Sequence, residues 1–163
     1  MAKFTLQQVA DACGGQVAPE FAAVAVNGVC SDSRKLRQGQ LFIALKGARF
    51  DGHDYIPEAI KAGAAGAISA REMPDTLRAL GDLARFYRQS LEIKVIGITG
   101  SVGKTTTKEM IAGILETAFR TARTEGNYNN NIGLPQTVLE IPEDYQAAVL
   151  ELGMNHFNEM SYL

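Results

Sequence analysis

Gly100, Gly103, Lys104 and Thr105 stand in the order Gly-x-x-Gly-Lys-Thr within the stretch VIGITGSVGKTTTKEM, Val95 to Met110. Those residue types at that spacing suit a polyphosphate. Glycines let consecutive backbone N–H groups turn inward around an anion, and a helix that starts just after them adds its positive end. Lys104 then supplies a point charge for the β- and γ-phosphates, and the Thr105 hydroxyl can reach Mg²⁺. The strict phosphate-loop pattern asks for one more glycine, five places before Gly103, where this chain has Ile98. That substitution moves only the point at which the chain leaves its strand, a turn that Thr99-Gly100 can make. The expected ATP grip therefore comprises Gly100, Ser101, Val102, Gly103, Lys104, Thr105 and Thr106. Glu151 is the second chemical candidate. It closes the apolar run AAVLE, and an acid at the C-terminal end of a strand beside a phosphate loop lies where open α/β sheets bind ligands. Carboxylate oxygens suit Mg²⁺; the plain alternative is a solvated strand-end acid.

The elements around these residues read as α/β. The run IKVIGIT, Ile93 to Thr99, has the continuous apolar character of a parallel strand buried on both faces. After the loop, TTKEMIAGILETAFR places Met110, Ile111, Ile114, Leu115 and Ala118 at helical spacing. Strand, loop, helix is the setting a phosphate loop needs. Upstream, Thr5 and Gln8 make a capping box for a short helix that Gly14-Gly15 ends. Strand-like segments follow at Val24 to Val29 and Leu41 to Leu45, then a helix with Ile56, Ala59, Ile60 and Gly63 on one face, and a small-residue strand in AAGAIS. The pattern breaks at Pro74, and DTLRALGDLARFYRQS is a helix expected to link an N-terminal domain, residues 1–82, to a phosphate-loop domain, residues 83–163.

Composition excludes several classes. The chain has 163 residues, 46% of them hydrophobic, enough for a real core. A net charge of −2 with interspersed signs gives no basic field for nucleic acid or an anionic membrane. No apolar run approaches the ~20 residues of a membrane span, and the N-terminus lacks the pattern of a signal peptide. A cytoplasmic protein is the expectation, and Cys13 and Cys30, with no C-x-x-C between them, read as ordinary small apolar residues.

Beyond the residues themselves, T-G-x-x-G-K-T opening a helix resembles the ATP loop of the Mur ligases and their folylpolyglutamate synthetase relatives. SDSRKLRQGQLFIALKGARFDGHDYIPEAIKAGAAGAI is similar to the uridine-nucleotide domain of that family. EGNYNNNIGLPQTVLEI and LELGMNH resemble its branch that adds the terminal dipeptide. The resemblance implies an ATP-dependent, Mg²⁺-dependent ligase that phosphorylates the carboxylate of UDP-N-acetylmuramoyl-tripeptide. The amine of D-alanyl-D-alanine then displaces phosphate. It implies a small N-terminal α/β uridine-nucleotide domain before a parallel-sheet ATPase domain, and a monomer when complete. Members continue well past the E-L-G motif into a further domain, so a chain stopping at Leu163 is expected to be a fragment, inactive alone.

Through the same resemblance, Lys104 and Glu151 are the expected catalytic residues, and Thr105, Glu151 and His156 the metal ligands. Asn127 and Asn130, from the amide-rich run that also holds Asn129 and Asn131, face substrate. Ser33, Arg34 and Lys46 contact the uridine nucleotide, where the planar fork of an arginine suits a diphosphate. A turn role for the Ser-, Asp- and Gly-rich segments is the bland alternative, as is a surface position for His156. Three functional alternatives also remain: the related ligase adding the third peptide residue, a nucleotide-binding module without catalysis, and an unrelated phosphate-loop kinase. The last leaves SDSRK and DGHDY unexplained.

Overall fold

The computed structural model describes residues 2–47, 50–69, 75–154 and 159–163. The chain is mixed α/β with parallel sheets, and it divides into two compact units, Met1–Phe86 and Tyr87–Leu163.

In the first unit, strand β1 (Lys3–Thr5) leads directly into helix α1 (Leu6–Cys13). The Thr5 side chain accepts from the Gln8 N–H, the Gln8 side chain accepts from the Thr5 N–H, and Gly14 closes the helix in the left-handed conformation, as the capping box predicts. The apolar segment Val24 to Val29 forms two short strands instead of one. Strand β2 (Ala25–Asn27) pairs antiparallel with β1, whereas β3 (Val29–Cys30) joins a parallel sheet with β4 (Leu41–Ile43) and β5 (Gly66–Ile68) in the order β3-β4-β5. Gly28 lies between them at φ 92°, a conformation that costs a side chain about 1–2 kcal/mol and lets the chain change sheets. Central strand β4 is buried on both faces, and Phe42 packs with Ala44 and Ala59 of helix α2 (Ile56–Lys61). Ile60, expected on that buried face, is half exposed. Helix α3 (Thr76–Ser90), the helix expected between the two domains, buries Leu80, Leu83, Ala84 and Tyr87 and leaves Leu77 and Phe86 partly buried. Pro74 lies outside the described residues.

The second unit holds a three-stranded parallel sheet ordered β6-β8-β7, from β6 (Lys94–Ile98), β7 (Thr121–Arg123) and β8 (Ala147–Glu151). Here one expectation fails. Strand β6 is exposed over its first four residues, with Val95 and Ile96 36% and 37% accessible, and only Ile98 is buried. The reason is order: β6 pairs with β8 on one side alone among the described residues, while β8, flanked on both sides, is buried throughout. Helix α4 (Lys104–Glu116) also differs. Its inward face packs Ala112, Ile111 and Leu115 on Ile98 and Val149 and also buries Lys108, while Met110, Ile114 and Ala118 are exposed. Helix α5 (Gly133–Glu140) buries Leu134, Val138 and Leu139, and the Tyr87 hydroxyl donates to the Ile141 carbonyl beyond it at 2.6 Å. Burial and a nearby Glu143 push that phenol up to about 12.

Candidate functional site

The loop after β6 ends at Gly103, which occupies the N-cap of α4 at φ 78° and ψ 0°. A side chain at that position would be strained by about 1–2 kcal/mol, so glycine sets the angle at which the loop enters the helix. No side chain caps α4, and its first-turn N–H groups keep their positive end toward the loop. Lys104 reaches back over the loop and donates to the Gly100 carbonyl at 2.7 Å.

Glu151 meets this loop from the end of β8. Its carboxylate is 3% exposed and doubly held: Thr105 Oγ1 donates to Oε2 at 2.9 Å, and Asn129 Nδ2 donates to Oε1 at 2.8 Å. The parallel register explains the meeting. Ile98, the last residue of β6, pairs with Glu151, so the acid is level with the start of the loop. A pocket of about 380 Å³ opens there, lined by Gly103, Lys104, Thr105, Asn127, Asn129 and Glu151 among others. Ser101, Val102 and Thr106 line it too, and Val102 is 90% exposed.

The Asn129 contact could not be singled out from four nearby asparagines. Its selection depends on the fold, because the Asn129 carbonyl also accepts from the Gly153 N–H at 2.8 Å, tying the amide-rich loop to the turn beyond β8. The Asn130 side-chain oxygen accepts from the N–H groups of Ile132 and Gly133 at the start of α5. Among the described residues no cluster of three or more His, Cys, Asp or Glu could hold a metal. His156 lies outside the described residues. The donor set nevertheless fits Mg²⁺, which takes one or two carboxylates together with phosphate oxygens and keeps several waters. Glu151 and the Thr105 hydroxyl are hard oxygen donors, already 2.9 Å apart beside the phosphate loop.

The candidates of the first unit lie on two turns. Ser33 and Arg34 belong to a short 3₁₀ turn, Ser33–Lys35, capped by Asp32. The Arg34 guanidinium forks onto the Asp32 carboxylate through Nε and Nη2, both at 2.8 Å, while its side chain is 82% exposed. That hydrogen-bonded cation lowers the Asp32 carboxyl to about 2. Lys46 bridges Asp51 through the backbone, with its ammonium 3.8 Å from Asp51 Oδ2. Asp51 also accepts from the His53 backbone N–H at 3.0 Å and meets His53 Nδ1 at 2.5 Å, contacts that hold its carboxyl below the usual range.

Comparison with known proteins agrees with this geometry. The Mur ligase family catalytic domain matches residues 25–75, and the Mur ligase middle domain matches residues 98–163. The UDP-N-acetylmuramoyl-tripeptide--D-alanyl-D-alanine ligase of Bacillus subtilis (strain 168) is 46% identical over 100% of this chain and 38% of its own length. MurF from Acinetobacter baumannii superposes with a TM-score of 0.90 at 37% identity, covering 99% of this chain and 38% of that one. The MurF ligase from Thermotoga maritima, in complex with ADP, gives 0.76 at 32% identity over 84% of this chain and 34% of its own. The chain thus spans little more than a third of the length of the relatives it matches. With both domain matches and identities of this size over the whole chain, it belongs to the Mur ligase family.

Proposed function

We propose that this chain forms the uridine-nucleotide and phosphate-loop portion of an ATP-dependent ligase that joins D-alanyl-D-alanine to UDP-N-acetylmuramoyl-tripeptide. The observation that carries this reading is the convergence of Lys104, Thr105 and Glu151 on one pocket behind a glycine loop, in a chain 46% identical to a ligase of that name. Residues 1–82 are assigned to the uridine nucleotide, through Ser33, Arg34 and Lys46, and residues 83–163 to ATP. The precursor nucleotide and ATP place this work in the cytoplasm.

A carboxylate is a poor electrophile because its leaving group would be oxide or hydroxide. Transfer of a phosphoryl group from ATP to the tripeptide carboxylate supplies a good one: the acyl phosphate forms, ADP departs, the dipeptide amine attacks, and phosphate leaves as the amide bond closes. Such transfer rests on positioning and charge neutralisation more than on proton transfer. Backbone N–H groups from Gly100 to Thr106 orient the phosphates, and Lys104 exchanges the Gly100 carbonyl for phosphate oxygens. Glu151 and Thr105 would hold Mg²⁺, which when bound neutralises charge on the phosphates. Asn127, at the exposed rim of the same pocket, is placed to meet substrate, and Asn129 fixes the carboxylate.

Titration of the chain with ADP plus Mg²⁺, and separately with UDP-N-acetylmuramoyl-tripeptide, tests the assignment. Both bind on this reading, and Lys104→Ala removes only the first. Loss of both ligands in that variant with its fold intact, or of neither, would overturn the division of labour.

A further inference from the structure

Lys108 is a lysine in an unusual place: one turn into α4, 1% exposed, facing the sheet. Burying an ammonium is costly unless it is fully partnered, so its partners show what it fixes. Lys108 Nζ donates to the Thr124 carbonyl at 2.5 Å and pairs with Glu109 Oε1 at 2.9 Å, and Glu109 in turn pairs with Arg123 of β7 at 3.3 Å. Thr124, fully buried just past the end of β7, is held at two further points. Its N–H donates to the Val149 carbonyl at 3.1 Å, and its Oγ1 accepts the backbone N–H of Glu151 at 2.9 Å. A chain of three hydrogen-bonded residues therefore runs from the phosphate-loop helix through the end of β7 to the backbone of the acid.

We propose that Lys108 and Thr124 are positioning residues for the cation site, fixing the Glu151 carboxylate relative to Thr105 on α4. The inference rests on the assignment of Glu151 and Thr105 to Mg²⁺ made above and deepens it. Thr105 and Lys108 are three residues apart and so share one side of the helix, while Glu151 comes from a different element. A hydrogen bond between Thr105 and Glu151 alone would leave the strand end free to shift when the hydroxyl turns toward a cation. The Lys108–Thr124–Glu151 link persists when that bond is exchanged, because it uses only the main chain of Glu151 and no carboxylate oxygen. Mg²⁺ demands close to ideal octahedral geometry at about 2.0–2.1 Å, so a small displacement of the strand end is felt in cation affinity.

The test uses Mn²⁺ as the probe, with ADP, followed by electron paramagnetic resonance on the chain, alongside ADP affinity measured without metal. Thr124→Val keeps the shape but removes the acceptor for the Glu151 N–H; Thr124→Ser keeps the hydroxyl. Lys108→Met removes the ammonium. Loss of groups that orient metal ligands typically weakens metal binding about 10–100-fold. Thr124→Val and Lys108→Met are expected to weaken ADP-dependent Mn²⁺ binding by about tenfold while metal-free ADP affinity changes less than about twofold, and Thr124→Ser to restore it. Wild-type Mn²⁺ affinity in folded Thr124→Val overturns the inference, as do equal losses in the metal-free and metal-dependent affinities. If Lys108→Met fails to fold, the Val and Ser pair at position 124 decides. If the wild-type chain binds metal-free ADP but shows no ADP-dependent Mn²⁺ binding, the cation assignment falls and this inference with it.

Discussion

The acid of the second unit, proposed to hold a cation, and the arginine of the first, proposed to meet a nucleotide, are built in opposite ways. Glu151 is 3% exposed, with both carboxylate oxygens and its backbone N–H engaged by three different segments of chain. Arg34 is 82% exposed, and its guanidinium is held by a neighbour two residues away. The first arrangement is set by tertiary structure before any ligand arrives. The second is local, and a diphosphate must compete with Asp32 for the guanidinium. A catalytic cation needs placement to a fraction of an ångström, whereas a binding arginine on a turn can rearrange at modest cost.

Substitution at Lys104 gives the largest expected effect, because it removes a full charge from the transferring phosphates. In a full-length ligase carrying this segment, Lys104→Ala should lower kcat by about 10²–10³-fold, as loss of a preorganised electrostatic contact does. Uridine-nucleotide affinity should stay within about twofold, since Lys104 lines the pocket proposed for ATP. A steady-state assay of phosphate release checks the first and titration the second; equal losses in both would show that the two sites are not separable.

Next comes Glu151→Gln, which keeps the shape and Asn129 and Thr105 as neighbours but removes the charge. The Mg²⁺ concentration for half-maximal ligation should rise toward 100-fold, the upper end of the roughly 10–100-fold seen for groups supporting a metal. An unchanged Mg²⁺ titration would make Glu151 a structural acid that only ties strand β8 to the loop. Arg34→Ala should act on the other side of the comparison. About tenfold weaker binding of the uridine nucleotide is expected, the worth of one charge-assisted hydrogen bond, with no change in the Mg²⁺ titration. Calorimetric titration reads the first.

How much of this could be read from residues alone follows the same division between local and tertiary. The Thr5–Gln8 capping box and the placement of the glycine loop between β6 and α4 are local patterns, and both are found in the structure. The burial of β6 is not legible, because an apolar run identifies a strand but not its place in the sheet. The runs of β6 and β8 both read as apolar strands, the first as one buried on both faces, and only the order β6-β8-β7 gives β8 two neighbours. Helix α4 misleads similarly: Met110 and Ile114 keep the helical spacing yet stay exposed, while Lys108, which any hydropathy reading puts in water, is buried. Its burial depends on a carbonyl sixteen residues away. Asn129 is missed for the same reason, since its partner Glu151 is distant in sequence and four candidate amides stand together. Arg34 and Asp32, by contrast, are two residues apart, and their pairing needs only the turn.

The smallest expected effect concerns that pair in acid. Arg34, chiefly through its side-chain hydrogen bond, lowers the Asp32 carboxyl from 3.8 to about 2. A carboxyl whose folded value lies below its unfolded one stabilises the fold above the unfolded value, and that stabilisation disappears as pH falls through the folded value. The pair therefore contributes fully above about pH 4, loses most of its contribution as pH falls toward 2, and contributes nothing only below both values, near about pH 1. Because the arginine is exposed, solvent screening keeps the contribution small, as for most surface ion pairs. Asp32→Asn isolates it, since the amide oxygen can still cap the turn by accepting from the Arg34 N–H while the charge is lost. Asp51 is also held below its ordinary value, first by the His53 backbone N–H, and titrates in the same direction, so variant and wild type must be compared at each pH. Melting curves at a series of pH values should place the wild type above Asp32→Asn by less than about 4 °C near neutrality, with the gap narrowing below about pH 4 and closed by about pH 1. A gap that persisted unchanged down to about pH 1 would mean that the difference does not come from the Asp32 charge, and that the fork holding Arg34 contributes nothing that a diphosphate would have to displace.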